Sequence, residues 1–127
     1  MKHLLFILLL FTFLFADKHK EEHHHYYSRD LTYLDLDHEQ QKHIKKILRM
    51  YRKELKAYRV LKKDTIKSKQ KLFEQESFDQ NLLIDLDIKL AQKAAKIEAD
   101  LLTNIHNRLS KEQRELFIKH IDEWEIE

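Results

Sequence analysis

Histidine is the residue in this chain whose type and placement could do chemistry. The sequence holds nine histidines and no cysteine, so a transition-metal site would use imidazole and carboxylate ligands rather than thiolates. Neutral imidazole binds Ni(II), Co(II), Zn(II) and Cu(II). One histidine, His3, precedes a long apolar run, and none lies between Ile44 and Ile105. The others are His19, His23, His24, His25, His38, His43, His106 and His120.

Two spacings place possible ligands one helical turn apart. His19 and His23 are four residues apart, as are Glu39 and His43, and side chains with this spacing share a helix face. His106 could add a ligand from a later helix. We therefore predict a site for a divalent transition metal (Ni, Co, Zn or Cu). Its candidate ligands are His19, His23, His24, His25, Glu39, His43 and His106.

The same histidines allow two other interpretations. The tract at 23–25 could capture metal weakly without a defined site, and the histidines of the helices could be solvated surface residues. Because imidazole must be neutral to bind a metal, a site without thiolates would be moderate in affinity and pH-dependent. The chain has no Gly-rich loop, nucleophile elbow or H-E-x-x-H sequence, so we expect no enzymatic activity.

The elements that must position these residues are helices. The sequence contains no Gly and no Pro, so tight turns with positive φ are not expected, and Lys, Glu, Leu and Ile dominate, which favours an all-α fold. Apolar residues recur at steps of three and four in two long stretches. The first contains Ile44, Ile47, Leu48, Tyr51, Leu55, Tyr58 and Leu61, and the second Leu83, Leu86, Leu90, Ala94, Ile97, Leu101 and Ile105.

A repeated capping pattern marks where helices begin. An L-D-x-x-Q sequence at 36–40 and an L-S-x-x-Q sequence at 109–113 each place a capping residue three positions before a Gln. Asp37 and Ser110 are thus predicted to cap the first and third helices. Ser77, followed by Gln80, is predicted in the same way to cap the second helix. The third helix is expected to turn Leu116, Phe117, Ile121 and Trp124 towards an apolar neighbour.

Two long helices with a short connection predict an antiparallel hairpin about 45 Å or more in length. His38, His43, His106 and His120 would then lie together at its open end, which the third helix and the lead-in at 31–36 would cover. The rest of the apolar face needs a partner, and the simplest is a second copy of the chain. We therefore expect an elongated hairpin that forms a homodimer.

The N-terminus resembles an export signal. Lys2 precedes an apolar run from Leu4 to Phe15 and a small residue, Ala16, as in a secretory signal peptide; the alternative is an uncleaved anchor. This predicts a signal peptide at 1–16, a mobile His-rich segment at 17–33 and a helical-hairpin domain at 34–127. Export across the inner membrane would place the protein in the periplasm. The formal net charge of +2 does not indicate a nucleic-acid partner.

These features together resemble the LTxxQ family of bacterial periplasmic proteins, which includes Spy- and CpxP-like stress chaperones and CnrX-like heavy-metal sensors. The residues that carry the resemblance are Leu36, Asp37, Gln40, Leu109, Ser110 and Gln113; Asp37 and Ser110 replace the usual Thr. The resemblance implies an elongated helical dimer. It also implies either a metal-responsive role, in which His19, His23, Glu39 and His106 act as ligands, or ATP-independent chaperone activity.

The leading hypothesis is a periplasmic protein that senses or buffers a divalent transition metal, in metal resistance or envelope stress. A membrane-bound signalling partner would then read its state. The first alternative is a chaperone for unfolded clients, for which the basic and aromatic first helix supplies a weakly binding surface. The second alternative is a purely structural helical dimer.

Overall fold

The computed structural model describes residues 31–126. Within this range the chain is all-helical, with no strand. A 3-10 helix at Thr32–Leu34 precedes three α-helices, α1 (His38–Phe73), α2 (Gln80–His106) and α3 (Lys111–Phe117), and a second 3-10 helix at Ile118–Trp124 ends the fold. The predicted signal peptide and the histidines at 19 and 23–25 lie outside the described residues. None of the described helices is long and apolar enough to cross a membrane.

Helix α1 begins where the capping pattern predicts. Asp37 is its N-cap, and Asp37 and Gln40 form a complete capping box. At 36 residues the helix is about 54 Å long. One face, spaced by threes, fours and sevens, is buried. It consists of Ile44, Tyr51, Leu55, Tyr58, Thr65 and Leu72.

The start of α2 differs from the prediction. Asp79, not Ser77, is the N-cap, and its side chain accepts from the backbone N–H of Leu82. The connection therefore runs from residue 74 to residue 79 and leaves Gln80 at the first helical position rather than at N3. This longer connection places Phe78 against Phe73, with ring centroids 6.1 Å apart in an edge-to-face arrangement.

In the contacts between α1 and α2, later residues of α1 lie beside earlier residues of α2. Lys69 near the end of α1 pairs with Asp87 near the start of α2, whereas Glu54 pairs with Lys93 further along. At the far end, Gln40 bonds the carbonyl of Arg108. These pairs are those of two antiparallel helices. We call the end at residues 74–79 the closed end, and the opposite end the open end.

The open end is covered as the sequence predicts, and two of the four predicted apolar residues of the last segment, Phe117 and Trp124, are buried there. Leu31 and Leu34 join Phe117 and Trp124 in the core, and the Phe117 and Trp124 rings lie 5.6 Å apart. Leu116 and Ile121, predicted on the apolar side, are exposed. Helix α3 ends at Phe117 and the chain kinks at His120, so the helical period assumed for this stretch does not extend to Ile121.

One turn at the open end needs an unusual backbone conformation. Asp35 ends the first 3-10 helix with φ 47° and ψ 54°, in the left-handed region. It is the one positive-φ residue in the described part of a chain without glycine. Aspartate adopts this region more readily than most residues because its short polar side chain can bond locally. The turn leads directly into the capping box of α1.

Candidate functional site

The two predicted capping boxes are both present, with the geometry of hydrogen-bonded helix starts. The backbone N–H of Gln40 donates to Asp37 Oδ1 over 2.8 Å, and the Asp37 N–H donates back to Gln40 Oε1 over 3.1 Å. In the second box the Gln113 N–H donates to Ser110 Oγ over 3.2 Å. The Ser110 N–H donates to Gln113 Oε1 over 2.9 Å. Each box therefore satisfies two otherwise unpaired backbone donors.

The two glutamines also bind each other. Gln40 Nε2 donates to Gln113 Oε1 over 2.7 Å, and Gln113 Nε2 donates to Gln40 Oε1 over 3.0 Å. The remaining amide hydrogens bond the carbonyls of Arg108 and Leu34, over 2.7 and 3.1 Å. Both donors and both acceptor lone pairs of each side chain are thus used. We call this reciprocal pair the interlock, because it ties together both boxes, the first 3-10 helix and the connection after α2.

Sequence reasoning missed the interlock although it predicted both boxes at the same end. The signal was present in the repeated Gln at the third helical position. A Gln that accepts a cap N–H through Oε1 keeps its NH₂ group for a second partner. Two such residues brought to the same end of a hairpin can satisfy each other, and here they do.

His43 is held in one orientation by the backbone. Its Nδ1 lies 2.9 Å from the carbonyl oxygen of Glu39. Because a carbonyl can only accept, Nδ1 carries the proton, and in the neutral ring Nε2 keeps its lone pair. His43 lines a groove of about 490 Å³ between α1 and α2, which is also lined by Met50, Asn104 and Arg108. The Glu39 side chain is exposed.

His106 has a different environment. It is exposed at the end of α2, and its Nε2 lies 3.1 Å from Arg114 Nη1. Because guanidinium only donates, Nε2 is the acceptor in this contact. His106 lines a separate cavity of about 280 Å³ with Phe117, Ile118 and Ile121. His43 and His106, predicted as ligands of one site, therefore line two different cavities.

The remaining described histidines are dispersed as well. His38 is exposed at the start of α1. His120 lies at the kink, with its ring centroid 4.5 Å from that of Tyr33 and its Nδ1 2.8 Å from Glu123 Oε1. Between residues 31 and 126 no group of three or more His, Asp or Glu side chains is placed to hold a metal ion. His19, His23, His24 and His25 lie outside the described range, so the predicted metal site stays a prediction.

The closed end exposes large apolar side chains instead of covering them. Phe73, the last residue of α1, is 81% exposed although its ring contacts that of Phe78. We call these exposed residues around the connection the closed-end patch. It consists of Ile66, Phe73, Phe78 and Leu82.

A second exposed apolar row lies along α2. Ile84 and Ile88 are close to half exposed, and Ala91 and Ala95 are also exposed. Their spacing of four, three and four places them on one helix face. We call these four residues the α2 row. Because alanine is small, the row lets another helix approach closely.

A cross-helix ion pair joins the middle of α1 to the middle of α2. Lys93 Nζ lies 2.8 Å from Glu54 Oε2. The hydrogen bond and the charge of Lys93 lower the pKa of the Glu54 carboxyl below its ordinary value. Both side chains are partly exposed, so the pair positions α1 against α2 but contributes little stability.

The described residues form an all-helical fold. The interlock lies at its open end, and the closed-end patch lies at its closed end. No family model, curated protein or solved structure matches this chain significantly. The resemblance to the LTxxQ family therefore remains a prediction from the residues of the two boxes.

Proposed function

We propose that this protein binds apolar segments of unfolded polypeptides without ATP, through the closed-end patch. The observation that carries the proposal is the exposure of Phe73 and its neighbours. Soluble monomers rarely expose large contiguous apolar surfaces unless a partner uses them. Covering such a surface contributes about 25 cal/mol per Å², which suits weak, reversible holding of many clients.

The charges around the patch support a sequence-tolerant contact. Lys63 and Lys67 flank Ile66 on α1, whereas Asp85 follows Leu82 on α2. A client segment of either sign would find an opposite charge next to the apolar contact. This favours binding by general apolar character over recognition of one sequence.

The test is suppression of aggregation by the full chain. We expect Phe73→Ser/Phe78→Ser to lose most of the ability to prevent light scattering by a chemically denatured client. Val60→Ser/Ile118→Ser is the matched control, since both residues are more than half exposed but lie away from the closed end. Equal activity of the two double variants would contradict the proposal, provided that both retain wild-type helical content.

We also propose that the α2 row forms a homodimer. A second copy packed on Ile84, Ile88, Ala91 and Ala95 would cover apolar surface next to the closed-end patch and leave Phe73 and Phe78 available. Sedimentation should show a dimer at micromolar concentration. Ile88→Lys should shift it to monomer, whereas Ile118→Lys, also on an exposed apolar residue, should not.

A metal-responsive role is the second candidate, and one observation at His43 favours it. Metal-binding histidines typically donate their other ring N–H to a carbonyl or carboxylate. His43 does this through Nδ1 to Glu39, which leaves Nε2 free to bind a metal. The proposed ligands from beyond the described residues are His19, His23, His24 and His25. Ni, Co, Zn or Cu binding of this kind would be reported by a membrane-bound signalling partner.

Calorimetric titration of the full chain with Ni(II) at neutral pH tests the metal proposal. His43→Ala should weaken binding about tenfold, in line with loss of a tuned ligand. His120→Ala is the control, because His120 bonds Glu123 and lies against Tyr33. An unchanged isotherm for His43→Ala would remove His43 from the site. Both functions presuppose that residues 1–16 direct export to the periplasm, which cell fractionation would test.

A further inference from the structure

The near-neutral charge of the whole chain conceals a strong separation of charge. In α1, thirteen Lys and Arg residues stand against three Asp and Glu residues, a formal net charge of +10. In α2, three Lys residues stand against four Asp and Glu residues. Nearly all excess positive charge is therefore concentrated on one long helix.

Eight of these cations form a line on the outer face of α1. Starting at Lys42, basic residues recur at steps of three, four and seven, a spacing that keeps them on one face. That face lies opposite the buried residues Ile44, Tyr51 and Leu55. We call this line the basic stripe. It consists of Lys42, Lys45, Arg49, Lys53, Lys56, Lys63, Lys67 and Lys71, all of them exposed.

The acidic residues that the structure describes balance little of the charge on the stripe, although the charge of Lys53 helps to lower the pKa of its neighbour Glu54. None of its eight residues forms an ion pair with a described carboxylate. The one interruption in its spacing is Val60, which is apolar rather than acidic. Helix α2 packs on the opposite face of α1, so the stripe is accessible along its length.

We infer that the basic stripe docks the protein on an anionic lipid surface. From Lys42 to Lys71 the stripe runs for about 44 Å along the helix axis at 1.5 Å per residue. A line of charges on one face of a helix can meet an extended lipid surface at many points. Each Lys or Arg near an anionic membrane contributes to attraction, and the contributions add.

The composition of the stripe favours a lipid surface over nucleic acid. Seven of its eight residues are Lys, which acts as a point charge, whereas the planar Arg fork is the group suited to bidentate phosphate recognition. The stripe contains no aromatic residue on which a base could stack.

The experiment measures binding of the full chain to vesicles. One set contains equal parts of phosphatidylglycerol and phosphatidylcholine, and the other only phosphatidylcholine. The apolar run from Leu4 to Phe15 is common to every variant, so binding to neutral vesicles measures its contribution. We expect tighter binding to anionic vesicles, and loss of the difference near 1 M salt, where the screening length falls to about 3 Å.

Charge reversal on the stripe should remove this preference. Lys45→Glu/Arg49→Glu/Lys56→Glu should weaken partition to anionic vesicles about a hundredfold or more, because three attractive charges become repulsive. The matched control is Lys89→Glu/Lys111→Glu/Lys119→Glu. It changes the net charge by the same amount as the stripe variant, but its substitutions lie on α2, α3 and the last 3-10 helix. We expect it to lose less than about tenfold. A Gln version of the stripe variant keeps the test valid if the Glu version folds poorly.

Three results would overturn the inference. Equal losses in the two triple variants would mean that net charge, not the stripe, determines binding. Tighter binding of a DNA duplex than of anionic vesicles at the same salt would assign the stripe to nucleic acid. No preference of the wild type for anionic vesicles would leave the stripe a solvated face. None of these results bears on client binding at the closed end, so the two proposals fail separately.

Discussion

The two ends of the hairpin are stabilised very differently. The largest fully buried side chains, Trp124, Leu34 and Ile105, all lie at the open end. The closed end buries Leu72 and Thr65 but exposes Phe73, Phe78 and Leu82. The open end also exposes Leu116, Ile118 and Ile121, so the two ends differ in how much they bury, not in whether they expose apolar side chains. Because burial at the open end supplies much of the stability of the fold, the closed end can keep apolar side chains exposed for binding.

Polar contacts follow the same division. At the open end the interlock uses every hydrogen-bonding group of Gln40 and Gln113. At the closed end the cross-helix polar contact is the Lys69–Asp87 pair, whose side chains are 38% and 51% exposed. Exposed ion pairs contribute little because solvent screens them. The comparison predicts that equivalent substitutions will cost more stability at the open end.

Trp124→Ala should have the largest effect. Trp124 is 1% exposed and packs against Phe117, so its truncation should cost about 3–5 kcal/mol of the unfolding free energy. Phe73→Ala, at an 81% exposed position, should change it by less than about 0.5 kcal/mol. Urea denaturation followed by circular dichroism measures both. Comparable losses would remove the proposed difference between the ends.

Two buried leucines test the same contrast within the hairpin. Leu101, in the core near the open end, and Leu72, at the closed end, are 3% and 5% exposed. Leu101→Ala should cost about 4 kcal/mol and Leu72→Ala about 2 kcal/mol, because sparsely packed surroundings collapse more easily around a cavity. A larger cost at Leu72 would mean that the closed end is the better packed one.

A double-mutant cycle tests the interlock. Gln40→Ala and Gln113→Ala should each destabilise by about 1–3 kcal/mol, since each leaves hydrogen-bonding partners unsatisfied. Because the side chains bind each other, the two losses should be non-additive by about 0.5–3 kcal/mol. Gln41→Ala is the control: Gln41 is exposed, and its side chain bonds the nearby Leu36 carbonyl and not the interlock. Additive losses would show that the two boxes act independently.

The smallest expected effect is pH-dependent. Lys93 lowers the pKa of Glu54, so the folded protein binds this proton less readily than the unfolded chain does. The pair therefore stabilises the fold above the ordinary glutamate pKa, and this contribution is lost as the pH falls through the lowered pKa. Lys93→Met should cost about 0.2–1 kcal/mol at pH 7 and nothing in strong acid. Lys96→Met removes an ion pair within α2 and should change the unfolding free energy at pH 7 by less than Lys93→Met does.

Much of the fold follows from local patterns in the sequence. Asp37 and Ser110 cap helices as predicted because each is followed by Gln three residues later. The start of α2 was predicted wrongly because Ser77 and Asp79 are comparable caps, and local spacing cannot choose between them. The choice depends on how much chain is needed to reverse direction, which is set by helix packing.

Features of the site depended more strongly on tertiary contacts. Ile121 was predicted to face the core on a regular helix, but the chain kinks at His120 and Ile121 is exposed. The histidines were predicted to gather at the open end. In the structure, His43 and His106 line two different cavities. Helical periodicity predicts the face on which a residue lies, but not the cavity that it lines. The basic stripe could have been found by counting charge along each helix instead of over the whole chain.

The interlock also affects the order of folding. Gln40 and Gln113 are 73 residues apart in sequence, and Gln113 bonds Leu34 across 79 residues. Helices form within about a microsecond, whereas contacts that close long loops come later because of their entropic cost. We therefore expect α1 and α2 to pair from their connection first. A chain emerging N-terminus first, from a ribosome or a translocation pore, acquires its stable end only once Trp124 has arrived.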